Sequence, residues 1–234
     1  MTDSPVDRAA RAALRPTGVL LALAASLWLW LVAQAPLDAS QGVVQKILYV
    51  HVPCVLAAYL GFACTAAGGA LYLWRRAEPW DRFAASSAEV GVLFCALVVA
   101  TGPIWARATW GRFWSWDLRL ALTLLLFLVY LSYLLLRSFT EGSERTARFA
   151  AVYGIAGLAI IPLNYFAIEL AGGRSIHPEN LERGSLGPGM RAPFFLGLAT
   201  ALVAFLHLLA LRVEVGRLRQ RETERELGEA PWAT

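Results

Sequence analysis

Six stretches of almost uninterrupted apolar residues, at 17–36, 47–74, 84–105, 118–136, 149–171 and 193–213, take up most of this 234-residue chain. Each is long enough to cross a hydrocarbon core of about 30 Å as a helix, which takes roughly 20 residues. Backbone groups inside a bilayer have no water to bond, so runs of this length are restricted to spanning helices. The expected fold is all-α: a polytopic membrane protein with six transmembrane helices. Composition agrees, with 58% apolar and 16% charged residues and a mean hydropathy of +0.53. The organisation expected is an arm at 1–16, a membrane domain at 17–213 and a charged, helix-like tail at 213–234. The connections are too short to hold a soluble domain with its own core.

The net charge of +4 could point to nucleic acid, but the basic residues are scattered over loops and tails instead of forming one stripe. Their distribution bears on orientation. Of the 21 Lys and Arg, 14 flank the termini and the two connections on the same side (Arg8, Arg75, Arg137 and Arg212 among them), against 7 on the opposite side. By the positive-inside rule both termini are cytoplasmic. The first span ends in Ala33-Gln34-Ala35, which resembles a signal-peptide cleavage site. A retained anchor is the better expectation, because its removal leaves five spans and puts one terminus on the wrong side of the charge bias.

Several chemistries are excluded. Cys54, Cys64 and Cys95 all lie within spans, without a Cys-x-x-Cys pair, so they read as small apolar fillers and not as a redox, zinc or covalent haem site. The only lysine is Lys46, so no phosphate loop ending in Gly-Lys-Ser/Thr can be drawn and the chain has no ATPase site of its own. It reads as a binding or transport subunit and not as an enzyme.

The unusual residues fall on the outer side. Between Trp105 and Asp117 the chain reads Trp-Ala-Arg-Ala-Thr-Trp-Gly-Arg-Phe-Trp-Ser-Trp-Asp, which holds four of the nine tryptophans. Gly102-Pro103 is expected to end the third span and turn it into this loop. Asp117 is placed to cap the next helix; Pro53 falls in the first turn of the second span, and Pro162 is expected to kink the fifth. Tryptophan offers a broad face and one N–H donor, so the cluster suits a flat apolar ligand with a polar edge, although an interfacial aromatic belt has the same composition.

Two of the three histidines share that side. His51 opens the second span and His177 lies in the loop before the sixth. Two imidazoles beside an aromatic platform match a haem with two axial nitrogens. Arg107, Arg112, Arg119, Arg174 and Arg183 could pair with its propionates, or simply snorkel to headgroups. His207 lies about 20 Å deeper and is expected to be structural, bonded to a neighbouring helix. Glu89, early in the third span, reads as structural, snorkelling or paired with Arg82.

Trp110-Gly111-Arg112-Phe113-Trp114-Ser115-Trp116-Asp117 resembles the tryptophan-rich signature of the haem-handling proteins of cytochrome c maturation. With six spans and Lys46-Ile47-Leu48-Tyr49-Val50-His51-Val52-Pro53, the whole chain resembles the CcmC family, the haem exporter C proteins. The resemblance implies non-covalent haem b with His51 and His177 as axial ligands. It implies an outer pocket shaped by Trp110, Gly111, Trp114, Trp116 and Asp117, with Arg119 at the haem edge. It further implies a bacterial inner-membrane complex with CcmA, CcmB and CcmD subunits, the CcmA ATPase supplying energy, and handover of haem to the periplasmic chaperone CcmE. The chain departs from many relatives in having Leu170-Ala171-Gly172-Gly173 where they carry adjacent tryptophans. The rival readings are a haem-free scaffold whose tryptophan loop docks a periplasmic partner, a proton-coupled transporter using Glu89 and His207, and an electron-transfer subunit.

Overall fold

The computed structural model describes residues 4–139, 143–182 and 184–228. Helices α1 (Pro5–Gln34), α2 (Leu48–Arg75), α3 (Glu78–Trp110), α4 (Leu118–Ser138), α5 (Glu144–Gly157), α6 (Ile160–Tyr165), α7 (Ala167–Leu170) and α8 (Arg191–Gly228) follow one another, with a 3-10 turn over Val43–Ile47 leading into α2. Among the described residues, six helical stretches are long and apolar enough to cross a membrane, α5 and α6 together making the fifth. With six such stretches running in alternation, the start of α1 and the end of α8 lie at one end of the bundle, here the terminal end, and the Trp105–Asp117 segment at the other, the tryptophan end.

Helix α1 begins well before the apolar run. The Ser4 hydroxyl accepts the Asp7 N–H at 3.2 Å and the Asp7 carboxylate accepts the Ser4 N–H at 3.2 Å, a reciprocal pair that satisfies donors left free at a helix start. The charged lead from Pro5 onward is therefore helix continuous with the first span. At the far end of α1 the ammonium of Lys46 donates to the carbonyls of Val32 and Ala33 at 2.8 and 3.0 Å. A cation at a helix C-terminus satisfies orphan carbonyls and opposes the dipole, so the single lysine fastens α1 to the start of α2.

Two expectations about proline need correction. Helix α3 does not end at Gly102-Pro103 but continues to Trp110, and Gly111, with φ +73°, ends it in the left-handed conformation. Proline removes one N–H from the ladder; ending the helix there would strand several more groups. Helix α2 carries Pro53 one turn deeper than expected, at its sixth residue. The fifth span is interrupted near Pro162, and the break falls one turn before it. The Pro162 ring crowds the Leu158 carbonyl, and the N–H groups of Leu158, Ala159 and Ile161 turn to carbonyls three residues back. Helix α5 stops there, and α6 carries the chain onward.

The core runs along α2 and α3, where small residues let backbones approach, as membrane helices require. A Cβ added to Gly61 would lie 2.6 Å from the Gly91 Cα, and one added to Gly69 would lie 3.2 Å from the Ala151 backbone. Phe62 stacks on Tyr130 with ring centres 3.8 Å apart. Helix α1 lies chiefly along α8. There His207 Nδ1 pairs with the Thr17 hydroxyl at 3.0 Å, the interhelical bond expected of a structural histidine.

At the terminal end, charges meet one another. Arg137 grips both carboxylate oxygens of Asp81 at 2.7 Å. Arg82 reaches Asp7 at 2.8 Å and Glu78 at 3.2 Å. Glu89 pairs with Arg212 on α8 and not with Arg82, whose guanidinium the other acids have already taken.

Candidate functional site

At the tryptophan end the polar groups bond mostly to backbone. Asp117 caps α4, its Oδ1 accepting the Arg119 N–H at 2.9 Å. Its Oδ2 accepts the Ile176 N–H at 2.9 Å. Asp117 is 9% exposed, and its carboxylate joins the tryptophan segment to the loop that carries His177. Burial works against its charge, but the Ser175 side chain and the bonds from Ile176 and Arg119 outweigh it and hold its pKa below the usual carboxylate range.

Arg119 makes a second tie to the same loop. Its guanidinium donates to Asn180 Oδ1 at 2.7 Å, and Asn180 Nδ2 donates to the Tyr165 carbonyl at 3.3 Å. Asn164, buried on α6, donates to the Arg119 carbonyl at 3.0 Å and to the Thr123 hydroxyl at 2.9 Å, while Tyr59 donates its phenol proton to Asn164 Oδ1. His177 is thus carried on a segment pinned at Ser175–Ile176 and at Asn180. Gly172 and Gly173, with φ of +58° and +78°, turn the chain from α7 into that segment. Left-handed positions favour glycine, which suits the pair to this turn.

Both candidate histidines are held in the same protonation pattern. The Thr101 hydroxyl donates its one proton to the Leu97 carbonyl at 2.7 Å, so at 2.8 Å it accepts from His51 Nδ1–H. His177 Nδ1–H donates to the Pro178 carbonyl at 2.8 Å. In each ring Nδ1 is spent as a donor, leaving the Nε2 lone pair free. Metal-binding imidazoles are oriented in this way by a backbone or side-chain acceptor. Burial also lowers the His177 pKa; the Pro178 carbonyl and Asp117 oppose this, while Arg119 adds to it. A neutral ring is the form that can ligate iron.

The remaining candidates divide. Trp105 and Trp110 meet edge to face at 5.1 Å on the last turns of α3, and Trp105 Nε1 donates to Gln41 at 2.9 Å. Trp114 and Trp116 meet edge to face at 5.9 Å, with Trp116 81% exposed. Gly111 serves the helix end: a Cβ there would meet nothing, so the position is set by its backbone angle and not by close approach. Arg107 folds back on the Gly111 carbonyl, and Arg174 donates to the Ala171 carbonyl at 3.1 Å. Arg112 is exposed, and Arg183 lies outside the described residues. Thr101, Ser175, Asn164 and Asn180 escaped the sequence reading because single hydroxyls and amides carry no spacing signal.

Comparison with known proteins gives this arrangement a family. The family model described as heme exporter protein C matches residues 6–232. The chain belongs to the haem exporter protein C family. It is 32% identical over 216 residues to heme exporter protein C of Bradyrhizobium diazoefficiens, covering 89% of this chain and 79% of that one. It is 30% identical over 195 residues to the Paracoccus denitrificans protein of the same description, covering 80% and 78%. A putative cytochrome c biosynthesis ccmC-like mitochondrial protein of Marchantia polymorpha is 34% identical over 150 residues, 64% of this chain and 62% of that one. As a haem exporter C protein with six apolar helices, this is a multi-pass membrane protein of haem export.

Proposed function

We propose that this chain is the membrane subunit of cytochrome c biogenesis that binds haem b without a covalent bond at the tryptophan end and hands it to the chaperone CcmE. His51 and His177 supply the two axial nitrogens, and the tryptophans give the ring an apolar wall. The observation that carries the reading is the matched pair of imidazoles, each with Nδ1 bonded inside the protein and Nε2 free. Arg119, tied through Asn180 to the loop that carries His177, supplies positive charge at the haem edge. In this reading both termini are cytoplasmic and the tryptophan end faces the periplasm of a bacterial inner membrane. CcmA, CcmB and CcmD complete the complex, with ATP hydrolysis left to CcmA.

The chain's own residues hold the imidazoles neutral and aimed, keep the His177 loop closed against α4, and offer no cysteine for covalent attachment. Reversible binding follows, so an incoming chaperone can exchange for one axial ligand. The test is the haem absorption spectrum of purified protein with His51→Ala and His177→Ala, singly and together. Each single variant should weaken or shift the Soret band, and the double variant should lose it. A double variant with an unchanged band sinks the ligand assignment. Wild-type protein that takes up no haem when haem is in excess favours the scaffold reading instead.

A further inference from the structure

A cavity of about 830 Å3 opens at the terminal end between α2, α3, α4, α5 and α8. That is within the range of about 300–1,000 Å3 for sites that take small molecules. Tyr72, Ala85 and Leu134 give it apolar wall, and five arginines reach it: Arg76, Arg82, Arg137, Arg212 and Arg219. Four acids line it too, and every one is already held. Arg137 takes both oxygens of Asp81. Arg82 and Gln220 take the two oxygens of Glu78. Arg212 takes Glu89, and Arg148 takes Glu144.

Donors are left over. Among the described residues, the Arg76 and Arg219 guanidiniums enter no ion pair and donate no hydrogen bond. The Nε atoms of Arg82 and Arg212 are buried without an acceptor, and an unmet buried donor costs roughly 1–3 kcal/mol. A cavity with spare cationic donors, whose acids are each already paired with an arginine, is complementary to a compact anion rich in acceptor oxygens. Guanidinium matches phosphate oxygens two at a time. The position also fits: Arg76 ends α2 and Arg219 lies beyond the apolar part of α8, at the level where headgroups sit. Basic pockets between helices at a membrane face recognise anionic lipids by this chemistry.

We infer that this cavity is a phosphate-binding site, taking the phosphate group of an anionic lipid headgroup or a free phosphate, with Arg76 and Arg219 as its uncommitted cations. The site is separate from the haem candidates and does not depend on them.

The test uses the full chain in nanodiscs of mixed phosphatidylglycerol and phosphatidylcholine, with retained lipid read by native mass spectrometry. Wild-type protein should retain phosphatidylglycerol at least tenfold over phosphatidylcholine. Arg76→Gln with Arg219→Gln should lose that preference, while Arg76→Lys with Arg219→Lys should keep most of it. A parallel arm titrates inorganic phosphate in neutral detergent and follows the melting temperature. Protection by phosphate that the glutamine pair abolishes identifies a free phosphate group as sufficient; protection by the lipid alone identifies a headgroup. Equal retention of the two lipids by wild type, with no response to phosphate, overturns the inference. So does a glutamine pair that behaves like wild type, or a lysine pair that behaves like the glutamine pair.

Discussion

The two ends of the bundle use their polar groups in opposite ways. At the terminal end charge is paired with charge: Arg137 with Asp81, Arg82 with Asp7 and Glu78, Arg212 with Glu89. At the tryptophan end the two imidazoles and the buried Asp117 are bonded to backbone groups and a hydroxyl, and Arg119 to an amide. Paired charges lock helices together and leave no nitrogen lone pair for a metal. A histidine whose Nδ1–H is spent on a neutral acceptor stays neutral and keeps a lone pair. The difference teaches that a site for a metal-bearing ligand is marked less by the number of polar groups than by which atoms remain unspent.

Breaking the terminal end should show the largest change in stability and none in haem chemistry. The Arg137 and Asp81 side chains are 22% and 14% exposed, so Arg137→Ala strands a mostly buried carboxylate. Removing one partner of a fully buried pair costs about 3–5 kcal/mol, and partial exposure brings the expectation here to about 2–3 kcal/mol. Replacing both residues by leucine should recover most of that loss, because the stranded charge is what costs. Unfolding in detergent gives the stabilities and the Soret band gives the haem site. Should the double variant be as unstable as Arg137→Ala, the pair does more than neutralise itself.

Asp117→Ala is the matching break at the other end. It removes the cap of α4 and the acceptor for Ile176 together, with an expected loss of about 2 kcal/mol. Hydrogen exchange should then rise at 175–180 and stay unchanged along α1 and α8. The pH dependence has a defined sign. The His177 pKa is held below its ordinary 6.5, so its contribution is complete above that value and is lost as pH falls through the lowered one. The Asp117 pKa is held below 3.8, so its contribution persists further into acid and is lost last. Haem ligation through His177 should accordingly survive below pH 6.5. Protection at 175–180 equal to wild type in Asp117→Ala would show that the loop is held by Asn180 alone.

Much of this was legible in the sequence because the bilayer imposes a strong rule. Uninterrupted apolar runs gave the six spans, and the odd placement of His51, His177 and Asp117 drew them out as candidates. The proline readings failed at Gly102-Pro103, where propensity says stop and the surrounding helix contacts carry α3 on to Trp110. The partner of Glu89 was also misread, since Arg82 is near in sequence and Arg212 is near in space. Thr101 and Asn164 were invisible, because a hydroxyl or amide inside an apolar run has no pattern until the helix facing it is known.

The smallest expected effect isolates the rule most cleanly. Thr101→Val keeps the shape of the side chain and removes the oxygen that accepts His51 Nδ1–H. The fold should change by less than about 1 kcal/mol, since a single hydrogen bond of this kind contributes roughly that much. Haem affinity should fall by about ten- to a hundredfold, the usual result of deleting the acceptor that orients a metal-bound imidazole. Thr101→Ser should restore it. Nitrogen chemical shifts of the His51 ring separate orientation from mere loosening: in wild type Nδ1 carries the proton, and in Thr101→Val the proton is free to move to Nε2, the atom that must bind iron. Unchanged affinity together with unchanged shifts would mean that Thr101 only fills space, and that the ring is aimed by packing beside Gly102, where an added Cβ would lie 3.4 Å from its Cε1.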